Sequence, residues 1–282
     1  MLTFTLLLTA CAPKTSYLPE EPKDQESSAP ASIVSYSASE AAELLETKNA
    51  TAVDVRNSAE FEKGHIKGAM SLPENKISSE PTYLLPVLDA PIIVYGANSA
   101  SAAEKLVSAG YTNVGTLEEY ESLAVETGMP EDKTGATNSF SSYLLNGVPA
   151  DENIFADYKL TMINIWATYC SPCLNEMPEL GELAAEYESK GVQIVGVITD
   201  IGMSDTGIYT AEDVSLAREL VTLTKADYPH LLPSYTLYTA LLSGVSAVPT
   251  TVFVDSEGSI VGEVYVGARS GEEWAKIIEG LL

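Results

Sequence analysis

The sequence contains few of the residues that bind metals or nucleic acids. Two His and three Cys leave few side chains for a metal site. Its 15 Lys and Arg are outnumbered by 40 Asp and Glu, which gives a net charge of −25. Nucleic-acid binding, and adhesion to anionic lipid by charge alone, both need clustered positive charge, so this composition argues against both. No apolar run reaches the ~18 residues of a membrane-spanning helix, which excludes a polytopic membrane protein.

The rest of the composition is that of a globular protein with more than one domain. Hydrophobic residues make up 45% of the 282 positions and charged residues 20%, which excludes wholesale disorder. At a rough prior of ~150 residues per domain, this length predicts about two domains. No nucleotide, flavin or other cofactor is required by any pattern in the sequence.

Two α/β patterns follow one another along the chain. Residues 33–127 alternate short β-branched runs, such as 52–55 and 91–95, with helical segments. The polar, turn-forming stretch 128–138 is predicted to be a linker. From residue 139 to residue 282 the alternation restarts, with apolar strands, amphipathic helices and a terminal helix. The sequence therefore predicts an α/β protein with two domains, and the family resemblances that the two halves carry imply a parallel sheet in the first and a central mixed sheet in the second, both flanked by helices.

The N-terminal segment is a short apolar run that ends in Leu8, two small residues and Cys11. Small residues before a cleavage point are typical of signal processing, and the segment resembles a bacterial lipoprotein signal. The resemblance implies that residues 1–10 are a signal peptide, that Cys11 carries the lipid, and that residues 11–32 form a flexible tether. It places the protein on the extracytoplasmic face of a bacterial membrane, where disulfides persist unless they are reduced. The alternative is an ordinary apolar N-terminus with an incidental Cys.

The other two cysteines form a C-x-x-C motif, Cys170 and Cys173, in the segment WATYCSPC (residues 166–173). The motif lies where a predicted buried strand gives way to a helix. The first Cys then sits at a helix N-terminus, where free N–H groups and the helix dipole favour a thiolate. Pro172 fits there because the first helical turn needs no N–H at that position. One alternative is that the pair is half of a zinc site. Such a site needs four ligands, and the chain has only His65 and His230 and no third Cys near the pair. The other alternative is a permanent structural disulfide.

This segment resembles the thioredoxin family, and Val248-Pro249-Thr250-Thr251 resembles the family's cis-proline loop. The best match is the membrane-anchored, TlpA-like reductases of the cytochrome-c-biogenesis type, which also carry an acidic residue at the position of Glu176. The resemblance covers roughly residues 139–282. It implies that Cys170 attacks a substrate disulfide, that Cys173 resolves the mixed disulfide, and that Glu176 tunes the thiols or moves a proton. Glu176 as a solvated helix residue is the alternative.

The same resemblance suggests a surface on which a substrate docks. Its predicted members surround the cysteine pair, and they are Val248, Pro249, Trp166 and Pro172. For Trp166 the alternative is packing in the core or at its rim. Implied partners are disulfide-containing proteins and a transmembrane electron donor.

Residues 33–127 carry a second resemblance. Asp54 and Arg56, then Glu60-Phe61, then the segment GHIKGA (residues 64–69) are similar to the rhodanese family, whose sulfurtransferases need a nucleophilic Cys in one loop. In this chain that loop begins with Gly96 and continues to Ser101, and residues 12–169 contain no Cys. The domain is therefore predicted to lack sulfur-transfer activity, with His65, Asp54 and Arg56 as framework residues. Docking a partner, spacing the redox domain from the membrane and binding an anion in the loop all remain open as roles for this half.

The leading functional hypothesis is a membrane-anchored, extracytoplasmic thiol–disulfide oxidoreductase that reduces its substrates. One alternative is an oxidase or isomerase that forms or reshuffles disulfides. The other is a binding protein whose rhodanese-like domain recognises a partner while the thioredoxin-like half serves as a scaffold.

Overall fold

The computed structural model describes residues 33–47, 49–78, 82, 84–123, 125–127, 139–205, 207–242 and 244–282. The predicted signal peptide, the predicted lipid-attachment residue Cys11, and the predicted tether and linker lie outside these residues. Within the described ranges, no helix combines the length and apolarity that crossing a membrane requires.

The N-terminal half is built on a parallel sheet of five strands in the order β1-β6-β5-β2-β4. Its two central strands are completely buried, as expected for a parallel sheet covered on both faces. A short antiparallel pair, β3 and β7, lies beside it. The bounds are β1 Val34–Tyr36, α1 Ala38–Glu46, β2 Thr51–Asp54, α2 Ser58–Lys63, β3 His65–Ile66, β4 Met70–Ser71, β5 Ile92–Tyr95, α3 Ser99–Ser108, β6 Val114–Leu117 and β7 Val125–Glu126.

The C-terminal half is built on a mixed sheet in the order β12-β11-β10-β13-β14. Strands β10, β11 and β12 are parallel to one another. Strand β13 pairs antiparallel with β10, and β14 pairs antiparallel with β13. Helices α4, α5 and α7 pack on one face, and a hairpin of β8 and β9 precedes the sheet. The bounds are β8 Ser141–Tyr143, β9 Pro149–Asp151, β10 Leu160–Trp166, α4 Ser171–Tyr187, β11 Val192–Ile198, α5 Ala211–Thr224, β12 His230–Leu231, α6 Tyr235–Leu237, β13 Thr250–Val254, β14 Ile260–Val266 and α7 Gly271–Leu281.

These two sheets confirm the predicted fold class. Ser37 is the N-cap of α1 and forms a capping box with Glu40. Helix α4 begins at Ser171 with Cys170 as its N-cap, so the first Cys lies at a helix N-terminus. The stretch between β12 and β13 contains short elements, α6 and a π-helical turn over Tyr238–Leu242, which sequence periodicity did not predict.

The register of the mixed sheet decides what surrounds the cysteines. Strand β10 ends at Trp166, and Ile165 pairs with Thr250 at the start of β13. Pro249 therefore lies across from the end of β10, beside the loop that leads into Cys170. The peptide bond between Val248 and Pro249 is cis, as the resemblance implied.

Candidate active site

Cys170 and Cys173 are joined by a disulfide at the N-terminus of α4, with a Cα–Cα distance of 5.3 Å. Cys170 is the N-cap residue, and its Sγ accepts a hydrogen bond from the Cys173 N–H at 3.3 Å. Cys170 is 5% exposed and Cys173 is fully buried. Cys170 is therefore the less deeply buried cysteine of the pair.

The loop between β10 and Cys170 is fixed by one carboxylate. Asp200, just after β11, accepts hydrogen bonds from the Thr168 N–H at 3.0 Å and from its hydroxyl at 2.6 Å. The next residue, Tyr169, is 76% exposed. The site therefore presents an exposed aromatic ring immediately before Cys170.

The predicted docking role of Trp166 does not fit its position. Its indole is completely buried, and its Nε1–H donates to His230 Nδ1 at 3.2 Å. The reason is the alternation of a strand, which points Trp166 beneath α4 rather than toward solvent. Trp166 is a core residue, as the alternative interpretation had it.

The remaining predicted docking residues lie at the surface or beside it. Pro172 is exposed in the first turn of α4, and Val248 is partly buried. Pro249 is buried, and its carbonyl accepts a hydrogen bond from the Gly267 N–H at 2.8 Å. Their contact with a substrate stays a prediction.

Glu176 lies one helical turn after Cys173 and is 4% exposed, so it is not a solvated helix residue. Its carboxylate accepts hydrogen bonds from Asn164 Nδ2 at 2.8 Å, from the Arg269 N–H at 3.1 Å and from Trp274 Nε1 at 3.4 Å. Burial raises the pKa of Glu176 above its ordinary value of 4.5, and these donors offset part of the rise. A buried carboxyl with a raised pKa is suited to exchanging a proton beside the thiols.

Sequence reasoning missed three residues of this environment: Asn164, Arg269 and Trp274. Arg269 and Trp274 are about 90 positions from Glu176 in the chain, so no local motif connects them. Asn164 had a detectable signal, because it is an amide within the buried apolar run LTMINIW of β10. A buried amide of this kind needs a partner.

In the N-terminal half, Gly96 occupies the position that a rhodanese nucleophile would take. Its φ is +100°, and a Cβ added to it would lie 2.6 Å from Arg56 Cγ. The Arg56 side chain is held there by Asp54, with Nε 3.0 Å from Oδ1, and its guanidinium lies 5.2 Å from the Tyr120 ring. The arginine therefore fills the space in which a nucleophile would stand.

Ser101, which the sequence places in the same loop, lies instead in the first turn of α3 and is engaged within the protein. Ser101 donates a hydrogen bond to Glu74 at 3.1 Å, and Glu74 also pairs with Lys105 at 2.6 Å. His65 stacks on Phe61 at 3.6 Å between ring centroids and hydrogen bonds its carbonyl at 2.9 Å. His65 is thus a buried framework residue, as predicted. Among the residues that the structure describes, no cluster of three His, Cys, Asp or Glu could hold a metal ion.

Comparison with known families gives two matches. A model of the rhodanese-like domain matches residues 37–119, and the redoxin model matches residues 136–276. The matches confirm a rhodanese-like half followed by a thioredoxin-like half, in the order that the sequence motifs predicted.

Curated relatives carry the name thiol-disulfide oxidoreductase ResA. The protein from Bacillus thuringiensis (strain Al Hakam) is 27% identical over 124 residues, which are 44% of this chain and 62% of that protein. The protein from Geobacillus thermodenitrificans is 28% identical over 142 residues, 49% of this chain and 74% of that protein. The chain thus spans less than two thirds of the length of the first of these relatives.

Solved structures that are similar include a thioredoxin-family thiol:disulfide interchange protein from Chlorobium tepidum. It is 23% identical with a TM-score of 0.42, over 51% of this chain and 92% of that one. StoA from Bacillus subtilis is 18% identical with a TM-score of 0.38, over 49% of this chain and 94% of that one.

Proposed function

The chain belongs to the redoxin family through residues 136–276, and from this premise we propose that it is a thiol–disulfide oxidoreductase acting through Cys170 and Cys173. One observation carries the proposal: a bonded cysteine pair lies at the start of a helix, where Cys170 is the N-cap and the Cys173 N–H points at Cys170 Sγ. A thiolate at Cys170 would be stabilised by that N–H and by the helix N-terminus.

In the dithiol form, the Cys170 thiolate attacks one sulfur of a substrate disulfide. A bond forms between Cys170 and that sulfur, the substrate S–S bond breaks, and the other substrate sulfur leaves as a thiolate that takes a proton. The N–H of Cys173 points at Cys170 Sγ and stabilises its negative charge, as does the N-terminus of α4.

Cys173 then resolves the mixed disulfide. It loses its proton to the Glu176 carboxylate one turn further along α4 and attacks Cys170 Sγ. The bond between the two cysteines re-forms, and the second substrate sulfur leaves as a thiolate. The substrate has gained two electrons, and the protein holds its disulfide again.

The proposed direction is reduction, with electrons supplied by a transmembrane carrier of dithiol type. The resemblance to TlpA-like proteins of cytochrome c biogenesis supports this direction, whereas the name of the ResA relatives supports the oxidoreductase class without a direction. The separate resemblance of the N-terminal segment to a bacterial lipoprotein signal supports an extracytoplasmic, lipid-anchored location through Cys11. Disulfide formation or isomerisation is the alternative direction.

For the rhodanese-like half we propose a docking or spacing role without sulfur transfer. The nucleophile is missing, and Arg56 fills its place beside Gly96. A partner recognised by this half would make the protein a binding protein as well as an enzyme.

The first experiment is the reduction potential of the Cys170–Cys173 pair, measured by equilibration with a dithiothreitol or glutathione couple. A value near or below roughly −250 mV supports the reductant, whereas a value near roughly −120 mV makes the protein a disulfide-forming oxidant. A pair that resists reduction would overturn the enzymatic proposal. Cys170→Ser is the matched variant: it should abolish turnover while leaving any partner binding intact.

A further inference from the structure

Asn164 lies at the centre of a polar row across the mixed sheet. It pairs in register with Gly196 on β11 and with Thr251 on β13, and Gly196 pairs with His230 on β12. Residues paired in this way point to the same face of a sheet. That face is covered by α4, which brings Glu176 down onto Asn164.

The hydrogen bonds of the Asn164 carboxamide are unequal. Its Nδ2 donates to Glu176 Oε1 at 2.8 Å and to Thr251 Oγ1 at 3.2 Å. Its Oδ1 is buried and has no hydrogen-bond partner among the described residues. One end of the amide is therefore engaged with Glu176 and Thr251, and the other end engages nothing.

We propose that Asn164 is a positioning residue that holds Glu176 in both of its protonation states by turning its carboxamide over. This inference rests on the proposed function, in which Glu176 takes the proton of Cys173. With Glu176 ionised, Nδ2–H donates to the carboxylate. With Glu176 protonated, Oδ1 faces it and accepts the acid O–H, and Thr251 donates its hydroxyl proton to the same oxygen.

The turn is sterically simple because the two ends of a carboxamide have nearly the same shape. In the observed orientation the Oδ1 end of the carboxamide has no hydrogen-bond partner among the described residues. The hydrogen bonds to Glu176 and Thr251 therefore decide which of the two carboxamide orientations has the lower free energy. No proton or electron is gained or lost in the turn itself. The proton that moves is that of the Cys173 thiol, which passes to Glu176 and leaves when the substrate thiolate is protonated.

Other charged and titratable groups also face Glu176. Arg269, before α7, contributes its N–H and its positive charge. Tyr228, before β12, has a buried hydroxyl whose pKa is raised by burial and by the charge of Glu176. Cys173 lies on α4 itself, and the exposed Glu179 and Glu273 line the adjoining surface pocket with Arg269.

The test is the pH profile of the full chain in its dithiol form, reacting with an aromatic disulfide in a stopped-flow instrument. The first aryl thiolate released reports attack by Cys170, and the second reports resolution by Cys173. Asn164→Leu removes the hydrogen bond in both protonation states, and because a bond to the ionised carboxylate is stronger than one to the neutral acid, the ionised form is destabilised more. We expect the rise of the second phase with pH to move upward by about one pH unit or more, while the first phase keeps its profile.

Infrared difference spectra give an independent readout, because the protonated carboxyl band of Glu176 is identified by its loss in Glu176→Gln. That band should persist to higher pH in Asn164→Leu and in the smaller Asn164→Ala, which serves if the Leu variant does not fold. Thr161→Val is the control, since it removes a buried hydrogen bond of the same strand, to Gln193, on the opposite face.

The outcomes separate the two proposals. If the wild-type dithiol releases no aryl thiolate, the proposed function fails. If the wild type shows both phases and the Asn164 variants keep its profile and its carboxyl band, the role of Asn164 is overturned. An equal shift in Thr161→Val would overturn it too, because the shift would then follow from general loss of packing.

Discussion

Glu176 is a carboxyl group held almost entirely out of water, with three hydrogen-bond donors around it. Removing a charge from water is costly unless it is paired, and of these donors only the backbone of Arg269 belongs to a charged residue. The result is a raised pKa caused chiefly by burial. The folded state therefore binds the Glu176 proton more tightly than the unfolded chain does.

This difference predicts how stability depends on pH. For an acid with a raised folded pKa, the stabilisation is complete below the unfolded pKa, near 4.5, and is lost as pH rises through the folded pKa. Between the unfolded and the folded pKa of Glu176, the wild type should lose up to about 1.4 kcal/mol of unfolding free energy per pH unit from this one group. Glu176→Gln should remove that slope in urea denaturation measured at a series of pH values.

The control is Glu182→Gln, which changes an exposed side chain on the same helix and should keep the wild-type slope. A Glu176→Gln variant with the wild-type slope would contradict the assignment of a raised pKa to this residue.

Single residues also mark where sequence reasoning reaches its limit. The cysteines, Pro172 and Pro249 were identified because each belongs to a local motif. Trp166 was misplaced among the docking residues, since a motif does not say which face of a strand a side chain takes. The donors around Glu176 come from three separate elements, so only the folded chain brings them together.

At the scale of elements, the loop between β5 and α3 has no room for a side chain at its first residue. Gly96 has a left-handed φ of +100°, which an L side chain adopts with difficulty. The space for that side chain is taken by Arg56, whose pKa is raised by its hydrogen bond to Asp54. A nucleophile introduced at this position would therefore meet an ion pair.

Restoring the cysteine should therefore not restore the activity. We expect Gly96→Cys to show no transfer of sulfur from thiosulfate to cyanide above the background of the wild type, and to be less stable because Arg56 must move. The assay and a thermal melt measure the two effects. Sulfur transfer by Gly96→Cys would show that the loop is still open and would contradict the proposed loss of function.

The helices and strands themselves were largely predictable. Apolar runs marked β5, β10 and β11, because strands buried on both faces are apolar throughout. The hairpin of β8 and β9 and the turns between β12 and β13 carry short, irregular patterns, and long-range contacts decide their shape.

At the scale of the whole molecule, the two halves share a core. Val87 and Ala90, from the segment before β5, are buried in the hydrophobic cluster of the thioredoxin-like half. Their neighbour Asp89 forms an ion pair with Arg218 on α5. The Pro86 carbonyl accepts a hydrogen bond from the Tyr209 N–H at 3.1 Å. The rhodanese-like half therefore packs directly against the thioredoxin-like half.

Gly147, in the turn between β8 and β9, is where this packing can be tested. Its φ is +88°, and an added Cβ would press on Ala90 and lie 3.0 Å from Val87 Cβ. Gly191 is the matched control, with φ +83° and only the flexible side chain of Lys159 in its way. Gly147→Ala and Gly191→Ala should each lose about 1 kcal/mol from the left-handed backbone. Only Gly147→Ala should also separate the unfolding of the two halves, because only it pushes the 84–90 segment out of the shared core.

Calorimetry distinguishes the two variants. The wild type and Gly191→Ala should each show a single unfolding transition. Gly147→Ala should show two overlapping transitions, with a calorimetric enthalpy that exceeds the van't Hoff value. Identical behaviour of the two variants would mean that the halves unfold independently of this contact, and that the rhodanese-like domain is a separable module.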